Sequence, residues 1–225
     1  MPFWAQLSLQ EPSSYTIESL DYFHDVAIVV LTLVLITVWL SRTYLLSSSY
    51  PTSTNLRSNR VETLWTLWPS FILITLGLPS LRILYLMDES TVPYLTFRVV
   101  GHQWYWSYSA PEIRTTIWDS YIVEQDSSLL EVDNRLLLPV GLPIRILVTS
   151  SDVLHAWSVS SAGLKVDATP GRLRMLNPLF NKTGVLYGQC SELCGANHSF
   201  MPIVAEVWRL SRYRGLSARY RRSEY

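Results

Sequence analysis

The chain of 225 residues balances 18 basic against 18 acidic side chains, and 48% hydrophobic residues with only 16% charged is not the composition of an ordinary soluble protein. Part of it belongs in lipid, and no nucleic-acid partner is expected. Two cysteines are too few for a disulfide scaffold, so their spacing must carry whatever they mean.

The formal neutrality conceals a division. Residues 1–87 hold five acids and four bases, residues 88–208 twelve and eight, and residues 209–225 one and six. The first segment, 1–21, is read as extramembrane. Its acids, with Asp25, and its lack of Lys or Arg rule out the basic start of a signal peptide. A charge-free run, Val26 to Ser41, lengthened by Tyr22, Phe23 and Tyr44 to Leu46, predicts a first membrane helix over 22–46, with Arg42 snorkelling at its end. The loop 47–61 holds Arg57 and Arg60, so it faces the side of translation. A second charge-free run, Thr63 to Leu81, predicts a membrane helix over 62–87, with Asn59 as its cap and Glu62 three residues on completing a capping box.

From Asp88 the pattern changes to short segments rich in Val, Ile, Tyr and Trp, punctuated by Ala110-Pro111, Gly141-Leu142-Pro143, Pro170-Gly171 and Lys182-Thr183-Gly184. "YLTFRVVGHQWYWSY", "SYIVEQ", "RLLLPVGLPIRILVTS", "GVLYGQC" and "PIVAEVW" read as strands of a sandwich or barrel spanning 88–208. A basic tail, 209–225, follows, and its arginines suit an anionic lipid or a neighbouring subunit. The fold class is thus α+β, a membrane hairpin followed by a β-domain.

The stretch "YGQCSELCGANHSFMP" concentrates Cys190, Cys194, His198 and Met201, and "DVLHAW" supplies His155, read as ending an earlier strand. Two imidazoles, a thiolate and a weak thioether make a copper ligand set, and the surplus Cys190 lets two sulfurs bridge two ions. Met201 then serves one ion and a backbone carbonyl between the cysteines, such as that of Glu192, the other. A Cys190–Cys194 disulfide and a structural zinc site of two Cys and two His are the alternatives; the second leaves Met201 without a task.

The chain resembles subunit II of the mitochondrial-type haem-copper cytochrome c oxidases along nearly its whole length. The resemblance rests on "VETLWTLWPS", "PSLRILYLMDE", "GHQWYWSY", "LLEVDNR", "SDVLHAW", "GLKVDATPGR" and "YGQCSELCGANHSFMPI". It implies a cupredoxin-like Greek-key barrel carrying a dinuclear copper A centre, with two copper ions held by His155, Cys190, the Glu192 carbonyl, Cys194, His198 and Met201. It implies further that the Glu192 side chain binds magnesium at the boundary with subunit I. Trp104, with Tyr105 beside it, would receive electrons from cytochrome c, and Glu62 would stand at a proton-path entrance. Glu112, Asp119, Asp133 and Asp152 are the candidates for the carboxylates that the resemblance implies dock cytochrome c. Subunits I and III are the implied neighbours, and electrons pass from copper A to haem a of subunit I, where oxygen is reduced and protons are pumped. The implied location is the mitochondrial inner membrane, with the copper domain in the intermembrane space, and an N-terminus without a basic presequence fits synthesis inside the organelle. Two departures stand out: Ser109, Arg114 and Thr115 thin the acids usual after "WYWSY", and the Arg-rich tail has no counterpart in the family pattern. A membrane-anchored zinc-binding assembly module and a quinol-oxidase-like subunit are the competing readings; relatives of the latter kind lack the copper ligands.

Overall fold

The computed structural model describes residues 3–48, 58–89, 92–111, 114–123 and 129–215, with the side chains of 114–116 left aside. The chain forms two compact units, Ser19–Leu86 and the remainder.

The first unit consists of two helices. Helix α1, Tyr15–Ser47, and helix α2, Asn59–Asp88, have mean hydropathies of 2.3 and 1.7 over their most apolar windows, none of which is buried within the protein. Thirty-odd residues at about 1.5 Å each exceed the roughly 30 Å of a bilayer core. Both helices are longer than the spans expected from charge. Arg42 and Arg60 lie within them, because a long side chain can reach the interface without ending a helix. Ser58, not Asn59, precedes the first helical residue of α2 and accepts the Glu62 N–H at 3.0 Å. Asn59 is thus the first helical residue and not the cap, the expected Asn59–Glu62 capping box does not form, and Glu62 is left as an exposed acid in the first turn, where it complements the helix dipole. Arg57 lies outside the described residues.

The second unit is a β-domain. Its strands, in chain order, are β1 Leu95–His102, β2 Tyr105–Ala110, β3 Arg114–Ser120, β4 Leu136–Pro139, β5 Ile144–Ser150, β6 His155–Val159, β7 Leu164–Ala168, β8 Arg174–Leu176, β9 Gly184–Gln189 and β10 Pro202–Trp208. They pair as β3-β2-β1-β5-β8, β4-β10-β9 and β6-β7. β1 with β5 and β4 with β10 are parallel, and the other pairs antiparallel. Strict alternation along β1 and β5 points Phe97, Val99, Ile144, Ile146 and Val148 inward. β6 is buried on both faces, so Trp157 and Val159 fill the space between sheets and His155 is sealed inside.

Several sequence-based expectations need correction. The segment 94–108 is not one strand but a hairpin of β1 and β2 turning at Gln103–Trp104, so Trp104 sits at the turn. His155 opens β6; it does not end a strand. Of "SYIVEQ", Ser120 closes β3 and Ile122 forms one isolated bridge to Val132, while Glu124 and Gln125 lie outside the described residues. β3, β7 and β8 were not read as strands; in β7 the outward positions are charged, at Lys165 and Asp167.

Both flanking segments join this unit. Ser13 N–H and Ser14 Oγ donate to the carbonyls of Ser161 and Ala162 at 2.9 and 2.7 Å, and Ile17 is buried against Gly163, where an added methyl would lie 3.0 Å from it. Lys182 pairs with Glu11 at 2.7 Å. At the other end, residues 210–215 are helical and bury Tyr213, so the segment after Arg209 starts as packed structure and not as a free tail. Residues 216–225, with Arg219, Arg221 and Arg222, lie outside the described residues.

Candidate metal centre

Two loops converge at one end of the barrel. β9 delivers Cys190, and the irregular loop that follows, closed by a single turn at His198–Phe200, delivers Cys194, His198 and Met201 before β10 begins. His155, at the head of β6, meets them from inside. Cys190 Sγ and Cys194 Sγ stand 3.9 Å apart as free thiols, well beyond the roughly 2.05 Å of a disulfide. His155 Nδ1 is 3.9 Å from Cys190 Sγ, and His198 Nδ1 is 3.5 Å from Cys194 Sγ. Met201 Sδ lies 3.5 Å from Cys194 Sγ, and the Glu192 carbonyl oxygen 3.3 Å from Cys190 Sγ. Each sulfur thus has one imidazole and one weak donor of its own. Two soft thiolates between two such pairs suit two copper ions.

The imidazole orientation is set from outside the ligand set. Asp152 Oδ1 accepts the Nε2 proton of the fully buried His155 at 2.9 Å, which turns Nδ1 to the sulfurs. Asp152 also accepts the backbone N–H of Gln103, at Oδ2, and of Val153, at Oδ1, both at 2.6 Å. Burial raises its carboxyl, but these bonds outweigh that and hold it below the ordinary value. Burial likewise raises the Cys190 thiol, yet hydrogen bonds from His155 and the nearby backbone bring it down to about 6. Burial and the charge of Cys190 push Cys194 up to about 12, so the metal-free pair carries one negative charge before two.

Trp104 sits against this loop, half-buried. An added methyl on Gly195 would lie 3.2 Å from Trp104 Cζ2, and Gln103 Nε2 donates to the Cys194 carbonyl at 2.8 Å. Tyr105 stacks between His102 and Tyr121, each at 4.5 Å between ring centroids, and so faces away along the surface. Asp119 and Asp133 are exposed and joined through Asn134, which donates its Nδ2–H to the Asp119 carbonyl at 2.8 Å and its N–H to Asp133 Oδ1 at 2.7 Å. Glu112 lies outside the described residues. Glu192 presents an exposed side chain, while its carbonyl faces inward. Glu62 belongs to the helical unit.

Three residues absent from the sequence-based site contribute to it. Gln103 ties the Trp104 turn to both Asp152 and Cys194. Trp106 is wholly buried, donates Nε1–H to the Met201 carbonyl at 3.2 Å and meets the His155 ring edge-on at 5.9 Å. Gly101 leaves room for His155, whose Cδ2 would lie 2.9 Å from any Cβ there. Asp152, expected as a docking carboxylate, is the fourth contributor, as the partner of His155.

Known proteins share this architecture. Residues 2–83 match the family described as cytochrome C oxidase subunit II, transmembrane domain, and residues 95–208 match its periplasmic domain. Cytochrome c oxidase subunit 2 of Periplaneta americana is 47% identical over 212 residues, 92% of this chain and 93% of the relative. That of Aedes aegypti is 46% identical over the same shares. The crystal structure of the periplasmic domain of subunit II of cytochrome oxidase of Bradyrhizobium japonicum superposes with a TM-score of 0.56 at 40% identity, covering 59% of this chain and 96% of that one. With its two apolar helices, its cupredoxin-like domain and its paired thiols between two imidazoles, the chain belongs to the cytochrome c oxidase subunit II family, as a membrane-anchored copper subunit of a haem-copper oxidase.

Proposed function

We propose that this subunit takes electrons from reduced cytochrome c at Trp104 and passes them, through a copper pair, to haem a of subunit I, with subunit III completing the neighbourhood. The observation that carries the reading is the pair of sulfurs 3.9 Å apart, each with its own imidazole. His155, Cys190, the Glu192 carbonyl, Cys194, His198 and Met201 would together hold two copper ions. Bound there, a copper pair sharing one unpaired electron supplies one-electron transfer with little change in bond lengths. The protein keeps that change small by fixing its ligands: His155 cannot rotate without breaking its bond to Asp152, and Met201 is held at its carbonyl by Trp106.

Trp104 is suited to receive electrons because its ring touches Gly195, one peptide from Cys194, while part of it remains open to solvent. Asp119 and Asp133, with Glu112 and Asp152, would attract a basic cytochrome c, and such steering acts on the rate of encounter more than on affinity. Both oxygens of Asp152 are occupied within the chain, so its share in docking is through its field. The exposed carboxylate of Glu192 would bind magnesium against subunit I, and Glu62 would stand at the mouth of a proton path on the opposite side of the membrane. The proposed division is extramembrane 1–21, membrane helices 22–46 and 62–87 around the loop 47–61, copper domain 88–208 and basic segment 209–225. The proposed location is the mitochondrial inner membrane, copper domain outward to the intermembrane space.

Trp104→Phe in the assembled oxidase tests the reading. Reduction by cytochrome c should slow sharply while copper content and its spectrum stay as they were. An unchanged rate would remove Trp104 from the path.

A further inference from the structure

Met201 stands just before the first residue of β10. At the strand's other end, roughly 20 Å along at about 3.3 Å per residue, a cleft of about 530 Å³ is lined by Thr183, Gly184, Trp208, Arg209, Ser211 and Arg212. The Arg212 guanidinium lies 4.0 Å from the centre of the Trp208 ring, a cation–π contact that holds a long cation in place. Arg209 and Arg212 are exposed, and among the described residues neither enters an ion pair. The one acid at the cleft, Glu206, directs Oε1 to Arg135 at 3.5 Å. Among the described residues, what remains is a concave surface with two guanidinium groups that lack an acidic partner, and two hydroxyls. That donor set matches the oxygens of a phosphate group.

A phosphate could be free or attached to a lipid, and the place of the cleft decides between them. This end of the β-domain is where the chain passes to both apolar helices. Val140 N–H donates to the Trp208 carbonyl and Gly141 N–H to that of Phe180, both at 2.9 Å. The same turn, at Pro143, accepts the N–H of Tyr94, shortly after α2 ends at Asp88. Asn181, beside the cleft, donates its N–H to the Ser13 carbonyl at 3.1 Å and its Nδ2–H to Glu18, also at 3.1 Å. Glu18 precedes the apolar run that starts at Val26 by about 12 Å of helix. Cations beside the segments that lead, along the chain, into both apolar helices suit an anionic lipid headgroup.

We propose that this cleft holds the phosphate headgroup of an anionic membrane lipid, clamped between Arg209 and Arg212. The assembled oxidase in detergent, titrated with phosphatidylglycerol or phosphatidylcholine and read by native mass spectrometry, tests it. R209Q/R212Q should bind one fewer phosphatidylglycerol per complex, with roughly thirtyfold weaker affinity at that site, and should treat phosphatidylcholine as the unaltered complex does. Its copper content should be unchanged, since the copper ligands lie at the opposite end of the strand. If that variant fails to assemble, R209Q with Thr183→Val should show a smaller loss of the same sign. Equal phosphatidylglycerol binding by a copper-loaded variant overturns the proposal. So does complete displacement of the lipid by millimolar inorganic phosphate, which would make the cleft a site for a free anion.

Discussion

His155 holds Asp152 on one ring nitrogen, at 2.9 Å, and faces Cys190 with the other, at 3.9 Å. One carboxylate therefore orients a ligand that is fully buried. The same carboxylate accepts the Gln103 N–H beside Trp104, so one group links the orientation of His155 to the turn that carries Trp104.

Asp152→Ala should weaken copper binding by roughly 10- to 100-fold, the usual cost of losing such a support. A chelator competition titration on the full chain in detergent measures it. Wild-type affinity in the variant would show that His155 is oriented by packing against Gly101 and Trp106 alone.

Gly195→Ala should separate electron intake from copper binding. The residue has φ of +124°, a conformation that side chains rarely adopt, and the added methyl would lie 3.2 Å from Trp104. Slower reduction by cytochrome c, with copper still bound, is the expected result in rapid mixing; parallel loss of both would mean that the loop itself has collapsed.

Met201→Leu is nearly volume-conserving and should cost less than about 1.5 kcal/mol of stability at this buried position. Copper should remain bound through the thiolates and imidazoles while the reduction potential shifts, as potentiometry would show. Release of all metal would assign Met201 a larger role than a weak donor.

Acid should destabilise the β-domain partly through Glu131. Burial raises its carboxyl, but hydrogen bonds from Arg135, at 2.9 Å, and from the Val132 N–H prevail and hold it below the ordinary 4.5. A depressed folded-state value means stability that is present above the unfolded value and lost as pH falls through the folded one. Because Arg135 is about one-third exposed, solvent screening keeps the contribution small. Glu131→Gln should therefore flatten the pH dependence of thermal unfolding below about pH 4.5 and lower stability near neutrality. An acid limb identical to the wild type would locate the sensitivity elsewhere.

The two helices and the donors from Cys190 to Met201 were legible because their signals are local: charge-free runs, and sulfur and imidazole at short spacing. The hairpin at Gln103–Trp104 was not, since alternating aromatics on both sides of the turn imitate one long strand. Strand β7 was hidden by Lys165 and Asp167, which face outward while Leu164 and Ala168 are buried. Gly188 shows the limit most plainly: a methyl there would collide with the Ser158 carbonyl, so β9 can reach β6 and deliver Cys190 only with glycine at that position, and nothing near it in sequence announces this. Asp152, expected to face a partner, is turned inward by a histidine that packing, not spacing, brings within reach.

Metal stoichiometry joined to electron paramagnetic resonance of the full chain tests the central claim most directly. Two coppers per chain, with one unpaired electron spread equally over both nuclei, is the outcome that the paired sulfurs of Cys190 and Cys194 require. A single copper with its electron localised, or a colourless chain that retains zinc in preference to copper, would contradict it.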